Sequence, residues 1–267
     1  MPNWFYHLPI YWALVMLFVV CNMISLIGYT VSQRFLSRVD NKDIVTKVVW
    51  QTVLFFSTIF ITFWIATNWS NLGLLKQTTI REANSIVPLY NDIGSLKGEG
   101  REIYEAKLQK YLNLVITDEY PHLNGGVESP DANKAYRDLV LSLYGYHPLP
   151  IFSDELRYNR ILQQLSELSN LRENRLGFLE GSLNGPLLIF FVMMISVGCF
   201  WTGFIDTRSF TFTLFIIMSQ NLIISSSCWL ILEMDMPFQG DLKVGNAPFV
   251  AVQDEIKSFN HYKIKYK

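Results

Sequence analysis

Polar and apolar positions divide the chain into four long uncharged runs and the charged stretches between them. Asp, Glu, Lys and Arg are absent from Leu8–Val31, Val48–Trp69, Gly185–Phe204 and Phe210–Leu232, runs of 24, 22, 20 and 23 residues. A bilayer core of ~30 Å is crossed by about 20 helical residues rising ~1.5 Å each, so every run predicts a membrane-spanning helix. Trp4, Phe5 and Tyr6 precede the first run, and Trp50, Trp64 and Trp69 lie along the second. Rings with a polar edge suit the headgroup level. Spans three and four are joined only by Ile205–Ser209, which forces an antiparallel hairpin. An even number of spans puts the N-terminus, the long segment between spans two and three, and the tail on one side.

That long segment reads as helices. Thr79-Ile-Arg-Glu82 matches a capping box and predicts that a new helix opens there, to be kinked or shortened at Pro88. Tyr104, Leu108, Tyr111, Leu112 and Val115 recur at helical spacing. A third helix is expected from about Asp131 to Leu143. A fourth, from near Ser153, carries the stripe Leu162, Leu165, Leu168, Leu171, Leu176 and Leu179 up to the breaker Asn184-Gly185-Pro186. No stretch alternates as a strand would. The expected fold is an all-α polytopic membrane protein with four transmembrane helices and one helical extramembrane domain. Residues 1–69 hold the first two spans, 70–184 the domain, 185–234 the last two spans and 235–267 the tail.

Composition agrees with the pattern. Half of the residues are hydrophobic and only 17% are charged, against about 25% in soluble domains. A net charge of −1 leaves no clustered cations for nucleic acid. Cys21, Cys199 and Cys228 all fall inside spans without CxxC spacing, so neither a disulfide nor a metal site is expected. His7, His122, His147 and His261 are scattered, and HExxH, GxxxxGK[ST] and GxSxG are absent. No catalytic residue, metal or cofactor is therefore expected, nor an enzyme. Near-membrane cations are tied. Arg34, Arg38, Lys42, Lys47 and Arg208 stand on the loop side, and Lys76, Arg81, Arg172, Arg175 and Lys243 on the domain side, so the positive-inside rule gives no orientation.

Uncharged spans argue against proton coupling, which needs a titratable stop at membrane depth. Their polar groups still form stripes. Gln51, Phe55, Thr58, Thr62 and Ile65 are spaced by four, three, four and three and share one face of span two; Asn221, Ser225 and Trp229 align on span four. Two readings stand: hydroxyls and amides joining helices, aided by Cys21-x-x-x-Ser25 and Gly198-x-x-x-Thr202, or a charge-free pore lined by span two. After span four, Glu233-Met-Asp235-Met-Pro237-Phe238-Gln-Gly240 predicts a fixed turn. Phe238 is expected at the interface and Asp235 as an acceptor for free amides. Too few acids are near for Ca²⁺, which takes six to eight oxygens.

On these residues the chain resembles the bestrophin-like family of four-span membrane proteins. The family pattern Asp-x-Pro-Phe-x-Gly is matched by Asp235, Pro237, Phe238 and Gly240. Glu82-Ala83, Leu89-Tyr90, Tyr111, Glu119-Tyr120-Pro121, Gly125, Arg172, Arg175 and Pro186 follow its order from about residue 45 to 250. Tyr120 stands where the family usually has Trp, and the calcium-binding acidic cluster of true bestrophins has no counterpart. The resemblance implies a homo-oligomer, a pentamer like the bestrophin anion channels, in a bacterial inner membrane with its termini and helical domain cytoplasmic. Its partners would be membrane lipid and inorganic ions. Gln51, Phe55, Thr58, Thr62 and Ile65 would line the pore, and Arg172 and Arg175 would form a positive mouth. The alternative is a non-conducting scaffold or regulator whose helical domain binds a partner.

Overall fold

A computed structural model describes residues 10–35, 42–96, 101–149, 152–181, 185–205 and 209–265. The expected span start at Leu8, the aromatics Trp4, Phe5 and Tyr6, His7, and the loop cations Arg38 and Arg208 lie outside them. All regular structure among the described residues is helical. The helices are α1 (Ile10–Phe35), α2 (Lys42–Ile93), α3 (Arg101–Leu114), α4 (Tyr120–Asn124), α5 (Pro130–Tyr144), α6 (Phe152–Leu176), α7 (Gly185–Thr202), α8 (Phe210–Asp235) and α9 (Ala247–Lys265). Four of them, α1, α2, α7 and α8, are long and apolar enough to cross a membrane. The chain is an all-α integral membrane protein. It divides into two compact units, one from residues 1–71 and 181–235, the other from 72–180 and 236–267.

In the first unit α1 packs against both α7 and α8. Two glycines let the backbones of α1 and α7 touch. A Cβ on Gly28 would lie 2.1 Å from the Phe200 carbonyl oxygen, and one on Gly203 would lie 2.0 Å from that of Ser25. Such contact lets polar groups meet. Ser25 Oγ donates to the Cys199 carbonyl at 2.7 Å, and Asn221 Nδ2 donates to Ser25 Oγ at 3.0 Å and to Asn22 Oδ1 at 3.1 Å. The outward side chains are apolar: Val15, Val19 and Met23 on α1, Ile189 and Met193 on α7, Phe215 and Leu222 on α8 are all exposed. A bundle in lipid gains nothing by burying these, and spends its small and polar residues on helix contacts instead.

Helix α2 corrects one expectation. No helix opens at Thr79; Thr79 and Glu82 lie fully buried in the middle of one continuous 52-residue helix. The stretch from Trp69 to Thr79 contains no Pro and a single Gly73. A helical glycine costs only about 1 kcal/mol, too little to stop a helix that is otherwise packed. Pro88 also sits inside α2 without ending it. The carbonyl it leaves unpaired belongs to Asn84, on the exposed side, where water can serve it.

The second unit has a core of Ile86, Leu89 and Ile93 from α2, Leu108 and Leu112 from α3, Leu139 and Leu143 from α5, Ile161, Leu165 and Leu168 from α6. The tail joins it, because α9 inserts Phe249, Val252 and Ile256 into that core. Ser129 caps α5, its Oγ accepting from the Ala132 amide at 3.0 Å, with Pro130 opening the first turn. Between α3 and α4 the chain widens into a π-turn over Val115–Glu119, where the Tyr120 amide reaches back to the Val115 carbonyl. Pro121 has no N–H for the Thr117 carbonyl, so the tighter α pattern is already broken there.

Candidate functional site

Three places gather the residues singled out by the sequence. The first is a face of α2. Its packed side presents Ser57 to Gly198, Phe60 to Phe190 (ring centroids 5.1 Å apart) and Trp64 to Phe191 (6.2 Å). The expected pore face points elsewhere. Gln51, Phe55, Thr58 and Thr62 are exposed in the protomer, Phe55 to 62%, while Ile65 is half-buried. Neither Thr58 nor Thr62 bonds another helix among the described residues. The α8 stripe behaves differently. Asn221 and Ser225 are buried against the bundle, and Asn221 joins α8 to α1. Amide glue on α8 and an uncovered hydroxyl face on α2 are thus separate features.

The second place is a buried ion cluster in the helical domain. Arg172 and Arg175, expected at a pore mouth, are 6% and 0% exposed. Ile161, Leu165, Leu168, Arg172 and Arg175 follow one another by four, three, four and three, so the arginines occupy the core stripe of α6. Arg175 grips Glu82 with two bonds, Nε to Oε2 at 2.6 Å and Nη2 to Oε1 at 3.0 Å, and also reaches Glu119 Oε1. Arg172 Nη2 donates to Glu119 Oε2 at 2.6 Å and to Asn133 Oδ1. Tyr111 OH donates to Glu82 Oε1 at 3.4 Å. The Arg175 guanidinium lies against the touching rings of Tyr120 and Phe249, 5.5 and 5.4 Å from their centroids, and Arg172 lies 5.0 Å from that of Tyr136.

Two carboxylates and two guanidiniums cancel within this cluster. Burial pushes the Glu119 carboxyl upward, but Arg175 and Arg172 outweigh it and hold it below its ordinary value. Burial would lower Arg175, yet Glu82 and Glu119 raise it well above normal, so it stays charged. Tyr111 is pushed well above 10 by burial and then by Glu82 and Glu119, and Tyr120 is raised to about 12, chiefly by burial. A tyrosine held neutral here can only donate to the carboxylates. The cluster ties α2, the π-turn, α5 and α6 together, and the π-turn is what aims Glu119 inward.

The exit turn after α8 is also built from close contacts. Gly240 has φ +71°, the Gln239 amide donates to the Met236 carbonyl at 2.9 Å, and the Val244 amide to that of Pro237 at 2.8 Å. Phe238, expected at the interface, is 4% exposed and packs with Leu72, Leu75, Leu123, Leu176 and Val244. A ring offered an apolar pocket this complete has no reason to remain among headgroups. Asp235 ends α8, 3.0 Å from where a Cβ on Gly181 would stand. No group of three or more His, Cys, Asp or Glu suited to a metal occurs among the described residues.

The bestrophin-like domain, as a family model, matches residues 9–249. The chain belongs to the bestrophin-like family. Its fold is shared with a single-substitution variant of a bacterial bestrophin homologue from Klebsiella pneumoniae, at TM-score 0.64 and 13% identity over 90% of this chain and 96% of that one. A crystal structure of a membrane protein with a single substitution gives TM-score 0.62 and 11% identity over the same shares. No curated protein matches the chain. For this bestrophin-like chain the partners of Arg172 and Arg175 went unrecognised in the sequence, although the signal was present. Glu82 lies on the same α2 stripe as Leu75, Ile86, Leu89 and Ile93, and an acid on a core stripe demands a buried cation.

Proposed function

We propose that the protein is an oligomeric ion channel that conducts small inorganic anions, with α2 from each protomer facing a central route. The carrying observation is the α2 face itself: Phe55, Thr58 and Thr62 stay uncovered while Ser57, Phe60 and Trp64 pack on α7. Threonine hydroxyls would wet such a route and Phe55 and Ile65 would narrow it, so that selectivity comes from partial dehydration and from nearby fixed charge. Membership of the bestrophin-like family supports the reading, as does the absence of charge from the spans. Symmetry of a closed ring favours identical copies, here five, in a bacterial inner membrane with the helical domain cytoplasmic. Arg172 and Arg175 then serve as a clamp inside the domain. No enzymatic activity is proposed.

A second reading, a scaffold whose domain binds a partner, draws on exposed apolar side chains around the α5–α6 turn. Leu141, Tyr144, Phe152 and Leu156 are 69%, 61%, 80% and 60% exposed. Purified chain in liposomes, with anion flux and the mass of the detergent complex measured together, separates the two. Flux from a stable ring supports the channel; a stable protein of any mass without flux gives the case to the scaffold.

A further inference from the structure

Where α2 lies against α7 and α8, the packing of the membrane unit leaves a small pit. Phe60 and Ile61 of α2, Met194 and Ile195 of α7 and Ile224 of α8 wall it with carbon, and Ser57 and Gly198 line it as well. All of these residues belong to one compact unit. The pit encloses about 10 Å³, room for one water-sized group. Gly198 makes the space, since a Cβ there would stand 3.4 Å from Ser57 Oγ. Ser57 is 7% exposed, and its hydroxyl has no hydrogen-bond partner among the described residues. Serines nearby behave otherwise. Ser196 Oγ donates to the Val192 carbonyl at 2.7 Å, and Ser226 and Ser227 donate to that of Ile223 at 2.9 Å each. A carbonyl of the same helix is the usual partner of a hydroxyl among apolar neighbours. Ser57 Oγ, lining the pit, keeps its capacity to donate and to accept.

We propose that the pit is a binding site for the terminal hydroxyl of a short- or medium-chain primary alcohol dissolved in the membrane. A hydroxyl unpaired among carbon gains from any partner that can reach it. Water is a poor candidate. A buried water is held by two to four hydrogen bonds, and this lining offers one side-chain oxygen. An alcohol needs only its bond to Ser57, because its alkyl chain exchanges lipid for Phe60, Met194 and Ile195 with no loss of solvation. A plain hydrocarbon chain would enter as easily but would leave Ser57 unpaired. Depth favours the same guest. Ser57 stands near the middle of the uncharged run Val48–Trp69, deeper than lipid headgroups and esters lie and open to a free alkanol. The pit is on the packed side of α2, so the proposal does not depend on conduction.

The test is photolabelling of the full-length protein in liposomes with a diazirine-bearing octanol, the modified residues being mapped by mass spectrometry. A diazirine-bearing octane, which lacks the hydroxyl, is run beside it on wild type, Ser57→Ala and Gly198→Ala. The octanol is expected to label Phe60, Met194 or Ile195 in wild type, and excess unlabelled octanol to displace it. That saturable labelling should fall about two- to tenfold in Ser57→Ala, the loss of one hydrogen bond, and also in Gly198→Ala, whose methyl group fills the pit. The octane should show no saturable labelling there. Should Gly198→Ala misassemble, Ser57→Ala decides, and the comparison of octanol with octane needs no variant at all. Saturable labelling unchanged by Ser57→Ala, octane labelling equal to that of octanol, or no saturable labelling in wild type overturns the site. Because the readout is labelling and not flux, each of these outcomes leaves the channel reading as it stands.

Discussion

Backbone contact leaves Gly28 and Gly203 no room for a side chain, and this makes them the sharpest single-residue tests of the bundle. A methyl group 2.0–2.1 Å from a carbonyl oxygen must push α1 and α7 apart, and with them the Ser25–Asn221 bonds. Gly203→Ala is expected to lose the monodisperse peak in fluorescence-detected size exclusion, while Gly73→Ala is not. Nothing stands within 4 Å of a Cβ at Gly73, so alanine there should stabilise α2 by roughly 0.5–1 kcal/mol. A higher melting temperature in the same detergent checks it. Gly240, at φ +71°, is a different case: its backbone lies in the left-handed region, which a β-branched residue avoids. Gly240→Val and Pro237→Ala should reduce the folded yield without altering ion preference. A well-assembled Gly240→Val with changed preference would mark the turn as a functional site.

Among elements, α2, the π-turn and α6 are joined by the four buried charges. Removing one partner strands the others in a dry interior, at about 3–5 kcal/mol. Arg175→Met should therefore unfold the helical domain in urea well before wild type, and Arg175→Lys should recover only part, since an ammonium cannot grip Glu82 with two parallel bonds. The pH dependence has two edges. Glu119 is held below its ordinary value near 4.5, so its contribution is complete above that pH and is lost as pH falls through the lowered folded value. Tyr111 is raised well above 10, so its contribution is complete below 10 and is lost as pH rises through the folded value. Melting temperature against pH should show a plateau between these edges. Glu119→Gln should remove most of the acid edge and leave the alkaline one.

At the scale of the whole molecule, the fate of the α2 face depends on what covers it. Thr62→Glu distinguishes lipid or close packing from water. In a ring around an aqueous route the carboxylate is hydrated, the oligomer survives, and anion preference reverses in bilayer recordings. Against lipid the same carboxylate is costly and the protein misassembles. Orientation is open to impermeant-thiol labelling in intact cells, with cysteine introduced at Lys97 or Asn41. Labelling at 41 and not at 97 is the expected outcome for a cytoplasmic domain.

The sequence by itself determined the number of membrane helices and the all-α class, because a helix that crosses lipid needs a run of about 20 mostly apolar residues and such runs are visible one residue at a time. Helices in the domain were legible for the same reason: Leu108, Leu112, Leu165 and Leu168 repeat at helical spacing whatever they pack against. The family could be read too, since its marks at Asp235, Pro237 and Gly240 are local. Tertiary structure alone decided which charges are spent and which remain. Glu82 and Glu119 are far in the chain from Arg172 and Arg175, and only folding cancels their charges, turning two candidate mouth residues into a clamp. It also decided where α2 ends. The capping pattern at Thr79 is a genuine local preference, but burying Thr79, Glu82 and Ile86 on one continuous stripe outweighs one turn's capping bonds.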